Sequence, residues 1–313
     1  MKIIHGALLL IWALGVSAQD YPNRPVRLLV GFAPGGGMDT IARIIAPKLA
    51  DSLGQPFLVE NRTGAGGALA ADALVRAAPD GYVLLLAESG TLIVPAMNPK
   101  AAYDPVKQFA AVGGVCALPL ALVSSTSFPA ANVQELIGLL KASPGKYSYA
   151  SPGVGTLQHL AFELFMRSAG VTAVHVPYKG ATAMMPDLMS GQVPIGVVSA
   201  LAGVSQARGG KIRALAVTSA QRLPNAPEIP ALAETIAGFE AAPNVFLVAP
   251  AGFSSDKLSN AVRAAVTSAD VQESFSKQGA TPMPAQPGEL AARIAAETRR
   301  WSAVVKDAGI KAE

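Results

Sequence analysis

Two glycine-rich stretches carry the residue types with chemistry to offer: Gly35-Gly36-Gly37-Met38-Asp39, and Ser151-Pro152-Gly153-Val154-Gly155-Thr156. Each follows a run that reads as a strand and precedes a run that reads as a helix. Glycines let the chain turn sharply with no Cβ in the way, and the sequence places Asp39 to cap the first of these helices. An exposed helix N-terminus presents free N–H groups and positive potential. Amide hydrogens and hydroxyls donate to an anion without themselves being charged, so the chemistry expected of the pair is capture of a small carboxylate.

Catalytic alternatives find no residues to work with. No Gly-x-Ser-x-Gly supplies a nucleophile elbow, and no Gly-Lys-Ser/Thr closes a phosphate loop. Gly64-Ala65-Gly66-Gly67 and Gly153-Val154-Gly155 both lack the third glycine of the dinucleotide fingerprint. His159 and His175 have no cysteine or carboxylate at zinc spacing; a capping or packing role suits His159, and His175 sits within a strand. The single cysteine, Cys116, excludes an internal disulfide and reads as a small core residue. The expectation is a binding protein with no enzyme activity, no cofactor and no metal.

The elements that must position the two turns alternate. Strand Arg27–Val30, a helix from Ile41 to Ser52, strand Phe57–Glu60, a helix bearing Leu69, Ala73 and Leu74, and strand Tyr82–Leu86 give a βαβαβ order. That order implies a parallel sheet wound by helices, with ligands at the carboxyl ends of the strands, where the glycine turns lie. A second set repeats it: strands near Leu120–Ser124, Tyr147–Ala150, His175, Ile195–Val198 and Arg213–Thr218, with helices after Val133, Leu157 and Met184. Two sheets imply a cleft between them. Leu120–Ser124 and Phe246–Ala249 are expected to be the crossovers. Lobe 1 is then 19–121 with 246–313, lobe 2 is 122–245, and the last helices return to lobe 1.

At 313 residues the chain can hold two core-bearing lobes, and its 24 prolines and 30 glycines suit many short turns. The net charge of +4 contains no long basic run, so nucleic acid is not an expected partner. Residues 1–18 read as a signal peptide: Lys2, then the apolar stretch Ile3–Leu14, then the small residues Val16-Ser17-Ala18. Cleavage after Ala18 would export the chain and remove one positive charge.

Several segments together resemble the Bug receptors, the extracytoplasmic solute-binding proteins of tripartite tricarboxylate transporters. They are Arg24-Pro25-Val26-Arg27, Pro34-Gly35-Gly36-Gly37 with Asp39, Val59-Glu60-Asn61-Arg62 with Gly64-Ala65-Gly66-Gly67, and Pro79-Asp80-Gly81-Tyr82. The resemblance continues through Ala150-Ser151-Pro152-Gly153 with Gly155-Thr156 and His159-Leu160, Val176-Pro177-Tyr178-Lys179-Gly180, Arg213-Ala214-Leu215 and Ala249-Pro250-Ala251-Gly252. It implies a type II periplasmic binding-protein fold, two α/β lobes with a ligand cleft between them and two crossover strands. It also implies a periplasmic monomer that binds a small organic carboxylate and meets the membrane subunits of a transporter. Carried over residue by residue, it nominates Phe32, Pro34, Gly35, Gly36, Asp39, Ser151, Gly153, Thr156 and His159 as ligand-binding, with Gly66, Gly67, Thr91, Tyr178 and Lys179 beside them. Glu88 departs from the family pattern, which has a small polar residue there; it is expected near the cleft mouth, either as a solvated glutamate or receiving a cationic or hydroxyl group of the ligand. Ligand sensing for a signalling system is the alternative use of such a protein, and an enzyme on the same scaffold is a third.

Overall fold

The computed structural model describes residues 21–98, 101–178 and 180–310; the expected signal segment 1–18 and Lys179 lie outside them. Strand β1 (Val26–Val30) leads through the first glycine turn into helix α1 (Gly37–Leu53), followed by β2 (Phe57–Asn61), α2 (Ala68–Val75) and β3 (Val83–Glu88). Both β2 and β3 run parallel to β1, with Leu28 opposite Val59 on one side and Leu84 on the other. Leu28, Leu29, Leu84 and Leu85 are buried, as central strands covered on both faces must be.

Three elements that the sequence pattern leaves out come next: α3 (Ser89–Met97), α4 (Pro105–Gln108) and β4 (Phe109–Ala117). Gly113-Gly114 inside β4 reads as a turn by composition, yet here it permits close packing. A Cβ on Gly114 would stand 2.3 Å from the Met283 carbonyl oxygen. Cys116 is buried in this strand, and burial raises its thiol pKa.

The second sheet takes β5 (Leu120–Ser125), α5 (Val133–Ala142), β6 (Ser148–Ser151), α6 (Leu157–Ala169), β7 (Val174–Pro177), α7 (Ala181–Ser190), β8 (Ile195–Ser199), α8 (Ala200–Arg208) and β9 (Ile212–Val217). The chain then returns with β10 (Asn244–Pro250), α9 (Asp256–Thr267), α10 (Ala269–Lys277), β11 (Thr281–Pro282) and α11 (Pro287–Asp307). Strand order is β11-β4-β10-β3-β1-β2 in the first sheet and β7-β6-β8-β5-β9 in the second. In each sheet three parallel strands adjoin an antiparallel one, β10 beside β3 and β5 beside β8.

The expected crossover strands each belong to a single sheet. Leu120 and Ala121, assigned above to lobe 1, pair with Ser199 and Val198 of β8. Asn244 and Val245, assigned to lobe 2, pair with Ala117 and Cys116 of β4. An apolar run reveals a strand but not the sheet that strand joins; the chain changes sheet at Leu118-Pro119 and again between β9 and β10.

One hydrophobic cluster is shared by the two sheets: Leu85 and Phe246 of the first, Leu122 and Tyr149 of the second, with Phe162 of α6 and Trp301 of α11. Further bonds join the halves, from Arg300 Nη1 to the Glu240 carbonyl (2.9 Å) and between Arg167 and Asp307. At the return, Ser89 Oγ donates to Glu297 (2.6 Å) and accepts from the Asn244 N–H (2.9 Å), while Asn244 Nδ2 donates to the same carboxylate. Among the described residues no helix is long and apolar enough to cross a membrane.

Candidate functional site

The first turn is organised by Asp39, though not as the helix cap that the sequence suggests. Gly36 takes the cap position, because the glycines let the helix begin at Gly37, and Asp39 falls three positions beyond the cap. Its buried carboxylate instead reaches back over the turn. Oδ2 accepts from the Gly35 N–H (2.9 Å) and from Arg43 Nε (2.9 Å), and Oδ1 accepts from Asn61 Nδ2 (3.0 Å). The Arg43 bond above all, then the Gly35 amide, holds this carboxyl well below the usual carboxylate range, against the opposing effect of burial. Asn61 also donates to the Phe32 carbonyl (3.0 Å), so one residue of β2 ties down both ends of the loop.

Gly35 and Gly36, nominated from the sequence, use their amides inside the turn, on Asp39 and on the Ala33 carbonyl. The N–H groups of Gly37, Met38 and Asp39 have no acceptor among the described residues, as the first turn of a helix requires unless something is bound there. Pro34 is exposed at the outer lip. Gly31, Phe32, Gly67 and Thr91 close the loop from behind: a Cβ on Gly31 would stand 2.6 Å from Gly67 Cα, and one on Gly67 would stand 3.2 Å from Thr91 Oγ1. Gly66, at φ +64°, faces Val94 of α3.

The second turn uses its side chains on itself. Thr156 caps α6, accepting from the His159 N–H (3.3 Å) while its hydroxyl donates to the Gly153 carbonyl (2.8 Å). Ser151 Oγ lies 2.7 Å from His175 Nε2 and also meets Gly153. His159 Nδ1 accepts from the Gly155 N–H (3.1 Å), and its ring stacks on His175 at 3.8 Å between centroids. Burial, then the neighbouring His159, lowers the His175 pKa to about 4, which leaves it neutral at pH 7. Both histidines are therefore structural parts of a polar stack with Tyr149, whose hydroxyl donates to Glu163 (2.6 Å). The amides of Val154, Leu157 and Gln158 have no acceptor among the described residues.

The second turn and the Gly66-Gly67 loop that backs the first turn both reach α3. Gly67 and Gly66 abut Thr91 and Val94, while on the other turn a Cβ at Gly155 would stand 2.7 Å from Met97 Sδ, and one at Gly90 would stand 3.8 Å from Leu157 Cδ1. Phe32, Gly66, Gly67, Thr91, Ser151, Gly153, Thr156 and His159 thus belong to loops gathered around one helix. Tyr178 joins them through its N–H on the Ser151 carbonyl (3.0 Å), but its hydroxyl is engaged by Asp187 (2.6 Å). Glu88 ends β3 at the cap position of α3 without accepting any amide, and its Oε1 lies against Gly90.

Sequence reading missed α3 itself. It expected free N–H groups where the two helices begin but did not nominate Gly37, Met38, Val154, Leu157 or Gln158; the rule that the first helical N–H groups lack partners identifies those within α1 and α6 once each helix start is known. An open depression of about 760 Å³ lined by Arg27, Glu60, Arg62 and Asp72 lies beside β2 and α2, away from the facing turns, and there Glu60 accepts from both Arg27 and Arg62. Among the described residues no group of His, Cys, Asp or Glu is arranged to hold a metal ion.

Comparison with known proteins matches residues 41–310 to the tripartite tricarboxylate transporter family receptor. BugT of Bordetella pertussis is 37% identical over 305 residues, covering 96% of this chain and 94% of its own length. Among solved structures, the periplasmic binding protein BugD is 33% identical with a TM-score of 0.75, over 94% of this chain and all of its own. An R. palustris protein solved with adipate is 32% identical with a TM-score of 0.77, over 93% of this chain and 99% of its own. A signature that runs through both glycine turns, a two-sheet α/β architecture and near full-length similarity agree: the chain belongs to the tripartite tricarboxylate transporter receptor family and has the fold of its periplasmic solute-binding proteins, which are receptors and not enzymes.

Proposed function

We propose that this chain is a periplasmic receptor that captures a small organic carboxylate by cleft closure and delivers it to the membrane subunits of a tripartite tricarboxylate-type transporter. The two sheets are its lobes. The ligand's carboxylate takes the unbonded amides at the starts of α1 and α6, with Phe32, Pro34, Gly35, Gly36, Asp39, Ser151, Gly153, Thr156 and His159 shaping the two turns and Gly66, Gly67, Thr91 and Tyr178 around them; Lys179 is nominated with these from the sequence. The observation that carries this reading is the approach of Gly155 to Met97, which brings the second turn onto the helix already abutted by Gly66 and Gly67, the loop packed behind the first turn at Gly31 and Phe32. The adipate bound by the R. palustris relative supports the ligand class.

Closure exchanges the hydration of the anion for fixed donors on both lobes, so the closed state gains stability when ligand bridges them. The receptor acts as a monomer without nucleic acid, and reaches the periplasm by cleavage after Ala18. Thermal-shift measurement of the mature protein against a panel of organic acids and their amides tests this, because a ligand that binds only the folded state raises its melting temperature. Stabilisation by acids and not by amides is expected; equal stabilisation by both sets would refute the carboxylate reading.

A further inference from the structure

Three carboxylates around the turns are provided with donors. Asp39 has Gly35, Arg43 and Asn61; Glu297 has Ser89 and Asn244; Glu163 has Tyr149 and His159. Glu88 stands among them, half-buried, with neither a hydrogen bond nor an ion pair among the described residues. It is the last residue of β3, at the start of the helix that the Gly66-Gly67 loop and the second turn both touch, and Gly90 beside it faces Leu157 at the start of α6. Withdrawing a carboxylate from water without a partner is costly, and burial raises the Glu88 pKa to about 7. The titratable and charged groups on the elements packed around it are already committed: Glu297 on α11, the His159–Glu163 pair on α6, and Tyr103, whose hydroxyl donates to the Thr91 carbonyl (2.6 Å). Arg43, on α1, is held by Asp39.

We propose that Glu88 receives the ammonium group of the ligand, so that the solute is an amino carboxylate with its acid end on the two glycine turns and its cationic end on Glu88. This rests on the carboxylate reading above and narrows it. A second carboxylate on the ligand would meet a like charge at Glu88, and a neutral hydroxyl would leave that charge uncompensated; an ammonium both donates and neutralises. Because the cation favours the ionised acid, affinity rises with pH while Glu88 is still being deprotonated in the free protein and levels off above about pH 7.

Titration calorimetry with 4-aminobutyrate, 5-aminovalerate, glutarate and adipate, from about pH 5.5 to about 8.5, tests the proposal. Expected are tighter binding of the two amino carboxylates than of the two diacids, and a loss of affinity approaching about tenfold per pH unit below neutrality. Glu88→Gln should weaken amino-carboxylate binding by about tenfold or more and flatten the pH profile, while Glu88→Asp, which keeps the charge, should retain the slope. Circular dichroism of both variants checks that they fold. Diacids binding as tightly as amino acids, affinity that rises toward low pH, absence of amino-carboxylate binding, or an unchanged Glu88→Gln would each overturn the Glu88 assignment. If amides bind as well as the acids, the carboxylate reading itself falls instead.

Discussion

Gly155 donates its backbone N–H to Nδ1 of His159 at 3.1 Å, which places the imidazole proton on Nε2, 3.6 Å from Glu163. A side chain on the first turn of α6 thereby holds the loop that leads into it, and the stacked His175 holds Ser151 from the other side. The turn that faces α3 is thus shaped by one buried ring, His159, and one partly buried ring, His175, and its unbonded amides are free to meet an anion.

His159→Phe keeps the stack but removes the acceptor for Gly155. Its expected effect is a loss of about 1–2 kcal/mol in folding stability and a weakening of ligand binding by about tenfold, because the amide that loses its acceptor lets the turn move. Denaturant melts and calorimetry on this variant measure both; wild-type affinity would mean that the bond does not shape the site.

Asp39→Ala removes the one carboxylate that gathers Gly35, Arg43 and Asn61, and should cost about 2–4 kcal/mol together with most of the binding. The acid limb of stability follows from the same contacts. The folded pKa of Asp39 is depressed, so its contribution is present above the unfolded value near 3.8 and is lost as pH falls below that toward the folded one. Urea melts at about pH 3 and about pH 6 should therefore show a smaller penalty for Asp39→Asn at the lower pH. An equal penalty at both would contradict the assignment.

Glu88 has the opposite sign. Its folded pKa, about 7, lies above the ordinary 4.5, so the neutral acid is favoured in the fold; that stability is complete below the unfolded value and is lost as pH rises through about 7. In the absence of ligand, Glu88→Gln should raise the stability of the protein at about pH 8, by up to about 3 kcal/mol, and by little at about pH 5. Scanning calorimetry at the two pH values checks this, and a shift independent of pH would contradict it.

Much of this site was legible in the chain. The glycines at 35–37 and at 153 and 155, each between an apolar strand and an amphipathic helix, marked both turns, and β1, β2 and β3 followed from their apolar runs. The missing part was α3, the helix against which the Gly66-Gly67 loop and the second turn pack. Ser89-Gly90-Thr91-Leu92-Ile93-Val94-Pro95 mixes a glycine, a β-branched run and a proline, all weak helix formers, and only packing against α11 and the glycine loops overrides them. The same holds for Asp39: its residue type suggested a cap, but three positions inside the helix it reaches back across the entrance instead.

The most direct measurement is a crystal structure of the mature protein with an acid that stabilises it. The expected result is the carboxylate between the turns, with oxygens within about 3.2 Å of amide nitrogens at the start of α1 and at the start of α6. A ligand bound elsewhere, or one touching only one of the two turns, would contradict capture between the lobes.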